Sequence, residues 1–276
     1  MGCGILYRYM KLEYFIKMIS NVRYIESDGE LSLANYCIPF RMYSFRSMSD
    51  KTDGLWGMYA TLIALNQYAV QNSLPDKSYE FITSVLETRG DKDYCFISSW
   101  TSKEDDMDMW KKFGDNGNGV QICIPENRLL QIKDLSDLQL RECDYISVDE
   151  YISSNDISRL YGMTDGQKRT YCINILENSK WKKYKGLSNE QEIRIIKNIN
   201  DNITPQIDDK QRQYIEIYIP LSAISSVTLG YNINYDNERK KIENILSREG
   251  VESELLHMFM YNVFSSKYYC ETINID

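Results

Sequence analysis

The sequence predicts an α+β fold, a mostly antiparallel sheet with flanking helices, from three observations. Strand and helix patterns are interspersed without the regular spacing of βαβ units. Tyrosine is abundant, 22 of 276 residues, a composition that favours half-buried sheet surfaces. Hydrophobic residues at 43% and charged residues at 26% lie near globular averages, against wholesale disorder. No repeat, low-complexity tract or linker stands out, so residues 1–276 are expected to form one domain.

Residues 4–9 read as a short strand. Leu12, Phe15, Ile16 and Ile19 fall at i, i+3, i+4 and i+7 and predict a helix ending near Asn21. Residues 22–50 alternate apolar pieces with Ser, Asp, Gly and Pro, the pattern of short strands and loops. Residues 54–71 are apolar enough for a buried helix. Pro75 and Asp76 open another, with Tyr79, Phe81, Ile82, Val85 and Leu86 on its apolar side and Gly90 at its end. Residues 94–100 give the most compact strand signal. Ser102 and Asp105 have capping-box spacing for a helix with Met107, Trp110 and Phe113 on one face. Gly117-Asn118-Gly119 turns into a strand at 120–124. A polar middle, 147–183, is expected to be helical. Strands follow at 190–196, 214–219 and 224–229, then a charged helix at 236–248 and strand-like pieces near 255–263 and 267–274.

Composition narrows the chemistry. With His257 as the sole histidine, His-based triads and multi-His metal sites are nearly excluded. A net charge of −8 argues against a long basic face for duplex DNA, though not against a local basic patch. The seven cysteines are scattered and form no C-x-x-C, which suits reduced thiols in a cytoplasmic protein. No apolar run reaches the roughly 18 residues of a membrane span. No signal-peptide pattern is visible, and Leu6 stands where an N-myristoylation site wants Ser or Thr.

The reactive candidates are therefore carboxylates, hydroxyls, thiols and arginines. Strand periodicity would put Glu190, Glu192 and Arg194 on one face, two carboxylates and a guanidinium able to stabilise a sugar cation. An ordinary solvated strand face with cross-strand ion pairs fits the same spacing. Arg8, between Tyr7 and Tyr9, offers a planar fork suited to pyrophosphate, or is one surface arginine on an edge strand. Ser98 and Ser99 end an apolar strand, where they could meet a ligand or cap the next helix. Lys180, Trp181, Lys182, Lys183, Tyr184 and Lys185 interleave cations with rings, a pattern for single-stranded nucleic acid or for a solvated helix end.

In sequence order, Leu6-Tyr7-Arg8-Tyr9, Phe96-Ile97-Ser98, Met109-Trp110-Lys111-Lys112-Phe113-Gly114 and Gly119-Val120 resemble the bacterial family catalogued as domain of unknown function 2971. The resemblance continues through Glu190-Gln191-Glu192-Ile193-Arg194, Ile219-Pro220-Leu221-Ser222-Ala223-Ile224 and Val227-Thr228-Leu229-Gly230. Lys112 departs from that pattern, where His is expected, and residues 38–53 lack its Asn-Asp-Pro-type turn.

The order Arg, Ser, Glu-x-Glu is also similar to the Arg-Ser-Glu class of ADP-ribosyltransferases. That resemblance implies a split-sheet transferase-like fold and NAD as co-substrate without a metal. It implies that Arg8 contacts the NAD phosphates or ribose and that Ser98 supports the nicotinamide ribose. Glu192 would hold the ribose 2′-hydroxyl and stabilise the oxocarbenium-like state, while Glu190 positions the acceptor. Tyr9, Ser99 and Trp110 join the cofactor-binding set, and residues 180–184 contact the acceptor. The lysines of that stretch, in an otherwise acidic chain, predict an anionic acceptor, single-stranded RNA or DNA ahead of an acidic protein face. The implied role is a toxin or phage-defence effector, with an antitoxin as a further partner and no membrane. A non-enzymatic sensor or interaction module, and a metal-dependent nuclease using Glu192 and an upstream Asp, are the competing readings. Arg8, Ser98 and Glu192 are expected to line one cleft. On an exposed strand face, Glu192→Gln would cost under about 0.5 kcal/mol.

Overall fold

The computed structural model describes residues 4–26, 31–44, 56–89, 95–132, 135, 137–154, 157–198 and 204–264. The aromatic N-terminal run forms β1 (Ile5–Lys11), followed by α1 (Leu12–Ile19), β2 (Arg23–Tyr24) and β3 (Tyr36–Ser44). Next come α2 (Trp56–Asn72), α3 (Ser78–Arg89), β4 (Cys95–Thr101), α4 (Met107–Lys112), β5 (Gly119–Pro125) and α5 (Glu126–Leu130). The middle contributes β6 (Gln139–Glu142), β7 (Asp144–Ile146), α6 (Val148–Ser154), α7 (Asp165–Ser179), β8 (Lys182–Tyr184) and β9 (Glu192–Asn198). The last run is β10 (Gln206–Ile207), β11 (Gln213–Pro220), β12 (Ser226–Leu229), α8 (Tyr235–Arg248) and α9 (Ser253–Val263). The architecture is α+β, and the sheet pairings with a defined register are antiparallel apart from a small parallel pair, β7 with β8.

The chain packs as two compact units. The first comprises Met1–Arg41, Ser99–Leu138 and Glu216–Asp276. Here β1 pairs with β5 from Ile5↔Pro125 to Lys11↔Gly119, β5 pairs with β12, and Tyr7 of β1 faces Thr101 of β4. Gly119 has to be glycine, because a Cβ there would lie 2.2 Å from the Met10 carbonyl oxygen. The helical spacing in α1 buries Phe15 and Ile19. Trp110 is fully buried and meets Tyr9 edge-on at 5.0 Å, an aromatic pair worth about 0.5–1.5 kcal/mol beyond its area.

The second unit comprises Met42–Ser98 and Gln139–Ile215. Its strand β9 pairs with β6 from Gln139↔Ile196 to Glu142↔Ile193 and also hydrogen-bonds β4. Helices α2, α3 and α7 enclose a core of Ala64, Leu65, Phe81, Cys172 and Ile175. Among the described residues, no helix is long and apolar enough to cross a membrane.

Several local expectations are corrected. Residues 255–263 belong to a helix, not a strand: Leu256, Phe259, Met260 and Val263 repeat at i, i+3, i+4 and i+7, and all four are buried. The piece at 267–274 lies outside the described residues, as do Tyr94 and Gly90. The helical middle stops at Ser179, and Lys182–Tyr184 pairs as a strand with Asp144–Ile146. Tyr79 is exposed rather than on the buried side of α3. The cap of α4 is Asp106, whose Oδ1 accepts the Met109 N–H at 3.0 Å, instead of a box starting at Ser102. With the helix starting there, Met109 and Trp110 face inward, while Met107 and Phe113 are exposed.

Candidate functional site

The Glu-x-Glu segment does not form one strand face. Glu190 ends a 3-10 turn (Lys185–Glu190), and Gln191 adopts a left-handed conformation at φ 43° before β9 begins at Glu192. A non-glycine residue there carries a real steric cost, so surrounding contacts must hold the bend in place. The bend brings the two carboxylates together on a cation that the sequence reading had assigned to a surface patch. The Lys183 ammonium donates to Oε2 of both Glu190 and Glu192. Arg194, two residues along β9 and fully buried, donates from Nε to Glu192 Oε1 at 2.8 Å and from Nη1 to the Lys180 carbonyl at 2.6 Å. The expected shared face therefore exists for Glu192 and Arg194.

Glu192 is 5% exposed. Burial pushes its carboxyl up from 4.5, but Arg194 and Lys183 outweigh that and hold it at about 2. Its backbone N–H donates to the Tyr145 hydroxyl at 2.7 Å, and its carbonyl accepts the Cys143 N–H at 2.9 Å. Burial raises the Tyr145 phenol to about 12, so it remains a neutral hydrogen-bonding group at physiological pH. The chemical result is a carboxylate that is ionised at neutral pH and fixed at a strand start.

The rest of the 180–185 stretch is not the open basic surface expected. Lys180 is buried and donates to Glu177 Oε2 at 2.6 Å. Trp181 is 7% exposed and packs with Cys95, Ile97 and Ile196, so it cannot stack a base. Lys183 is buried between its glutamates. Tyr184 is half-exposed, with its ring 5.2 Å from that of Trp56. Lys182 is half-buried beside Tyr151, its Nζ 4.8 Å from the ring centroid. Because β8 lies in a two-stranded sheet, alternate side chains turn inward, which is why lysines adjacent in sequence have different fates.

In the first unit, the half-buried Arg8 guanidinium lies 5.8 Å from the Phe40 ring centroid and 5.7 Å from that of Trp100. Its neighbours Tyr9 and Trp110, expected to touch a cofactor, are core groups instead. The Tyr9 hydroxyl accepts from Gln121 Nε2 (2.6 Å) and the Asp106 N–H (2.8 Å) and donates to the Lys103 carbonyl (3.0 Å). Trp110 Nε1 donates to Asp105 Oδ1 at 2.9 Å. Neither presents a surface to a ligand. Ser98 is buried and Ser99 half-buried on β4. Arg8 and Ser99 belong to the first unit, Ser98 and Glu192 to the second. Among the described residues, no three His, Cys, Asp or Glu side chains group as a metal site.

Residues 109–195 match a protein-family model described as a protein of unknown function (DUF2971), to which the chain is similar over that span. The match runs from the start of the Trp110 segment through Glu190, Glu192 and Arg194. No curated protein and no solved structure matches the chain.

Proposed function

We propose that this chain is an NAD-dependent ADP-ribosyltransferase on a transferase-like split sheet, acting as a toxin or phage-defence effector. The observation that carries the reading is Glu192: an anionic carboxylate, held at about 2 and fixed by two cations at the start of β9. Breaking the nicotinamide–ribose bond sends the bonding electrons to nicotinamide and leaves positive charge on the ribose. An oriented carboxylate is the group that stabilises such charge. Arg8 is the NAD-phosphate ligand in this reading, its planar fork flanked by Phe40 and Trp100. The acceptor is anionic, with single-stranded RNA or DNA ahead of an acidic protein face. Of the two rings expected to stack, Trp181 and Tyr184, the half-exposed Tyr184 keeps that role, with Trp56 beside it and Lys185 exposed next to it.

The charge of the cluster favours a second reading. Glu190 and Glu192 face Lys183 and Arg194, so two negative charges meet two positive ones inside the protein. A neutral, internally satisfied cluster suits a non-enzymatic sensor or interaction module on the same fold.

Nicotinamide release from NAD by the purified chain separates these readings. The transferase reading expects release that EDTA leaves unchanged, a higher KM in Arg8→Ala, and a loss of about 10²–10³-fold in kcat in Glu192→Gln. The variant has to be assayed where its near-UV circular dichroism remains native. Absence of release with single-stranded RNA, single-stranded DNA or acidic protein present sinks the transferase reading. Release or nucleic-acid cleavage abolished by EDTA points to metal-dependent chemistry.

A further inference from the structure

The four lysines of the 180–185 stretch divide by partner. Lys180 pairs with Glu177, Lys183 with Glu190 and Glu192, and Lys185 with Glu150. Among the described residues, Lys182 has no ion pair; its ammonium rests against the face of Tyr151. It lines a cleft of about 170 Å³ in the second unit, together with Tyr151, Tyr171, Asn174 and Asn178. Gly57 lies at the cleft where α2 meets α7. A Cβ there would stand 2.5 Å from Ser179 Oγ, so the glycine permits the close helix approach.

The lining has two characters. Half-buried Tyr171 supplies ring surface, buried Tyr151 backs Lys182, and Asn174 and Asn178 supply amides at the exposed side. Arg141 and Asp144 pair with each other at 2.6 Å, so the neighbouring charges cancel and Lys182 leaves a local excess of one positive charge. Burial lowers the Lys182 pKa; Asp144, its register partner on β7, opposes that shift only in part, and Arg141 adds to it. A ring face compensates a half-desolvated ammonium only in part.

We propose that this cleft binds a small organic carboxylate carried on a flat ring, with the carboxylate on Lys182 and the ring against Tyr171. The volume sets the size: drug-sized ligands fill clefts of about 300–1,000 Å³, so this one admits about one ring and its anionic group. A single ammonium matches a monoanion, whereas a phosphate dianion is best held by several donors. The site is independent of NAD turnover and stands or falls separately from it.

Benzoate is the probe, titrated against the full chain at low salt and followed by calorimetry or ligand-observed NMR. Saturable binding is expected in the wild type and equally in Lys185→Gln. Lys182→Met keeps the alkyl packing on Tyr151 and should bind about tenfold more weakly or worse. No saturable binding in the wild type, or equal affinity in Lys182→Met, overturns the proposal. So does inorganic phosphate binding as tightly as benzoate, which would remove the ring from the recognition. If Lys182→Met does not fold, reductive methylation of the wild type decides. Benzoate should slow modification of Lys182 and leave Lys185 unaffected, and equal rates at Lys182 with and without benzoate overturn the site.

Discussion

Lys183 is the residue on which the Glu190–Glu192 cluster turns. Its ammonium serves both carboxylates, and nearly all of its side chain is buried. Replacing it with Met would remove the cation that both buried carboxylates share, while Arg194 stays on Glu192. Breaking a buried pair on one side costs about 3–5 kcal/mol, so Lys183→Met should lower unfolding stability in urea by that order. A loss below about 1 kcal/mol would mean that water already solvates the glutamates. The same geometry revises the expectation for Glu192→Gln. Being buried and paired, the change should cost about 2–4 kcal/mol, not the cost of an exposed strand site. Its pH dependence follows from sign. The folded carboxyl lies at about 2, below its ordinary 4.5, so its stabilisation is complete above about 4.5 and is lost as pH falls toward 2. The acid limb of wild-type stability should therefore be steeper across that window than in Glu192→Gln. Identical slopes would show that Glu192 is not held in its ionised form. Residue identities alone exposed Glu192 and Arg194, because period-two alternation survives in β9. They did not expose Lys183, since its pairing depends on the left-handed bend at Gln191 that no local pattern announces.

At the scale of elements, the errors share a cause: a local signal outranked by packing. Ser102 and Asp105 have capping spacing, yet α4 starts four residues later than that box implies. Asp105 takes a positive φ of 48° and Asp106 becomes the cap, also pairing with Lys103 at 2.9 Å. Asp106→Ala should cost about 0.5–2 kcal/mol, the range for a lost N-cap, and clearly more than Ser102→Ala, measured by thermal or urea unfolding. The reverse ranking would restore the original box. Aromatic and β-branched content in 255–263 suggested a strand, whereas the 3.6-residue repeat from Leu256 to Val263 was present in the sequence and is the stronger signal. β1, α1 and β11 were legible from their periodicity, and α2 and α8 from apolar and charged content between well-placed ends. β8 was not, because three residues carry too little pattern to announce a strand.

For the whole molecule, the chain path carries the consequence. Neither unit is contiguous: the assignment changes between residues 41 and 42, 98 and 99, 138 and 139, and 215 and 216. Three of those changes fall inside β3, β4 and β11, so a single strand contributes backbone to both units. Sequence reading offers no warning of this, because linkers announce boundaries through composition and an uninterrupted strand has none. A strand cannot lose its partners over half its length without fraying the remainder, so the units should unfold together. The tryptophans allow a direct measurement. Trp100 and Trp110 lie in the first unit, Trp56 and Trp181 in the second. In a Trp56→Phe/Trp181→Phe variant, fluorescence reports the first unit alone, and Trp100→Phe/Trp110→Phe reports the second. Each variant has its own stability, so the comparison is made within a variant, between its fluorescence and its far-UV circular dichroism. One cooperative transition requires the two probes to coincide in urea for both variants. Fluorescence that moves clearly before or after circular dichroism in either variant would show that one unit unfolds while the other stands, and that the shared strands do not couple them.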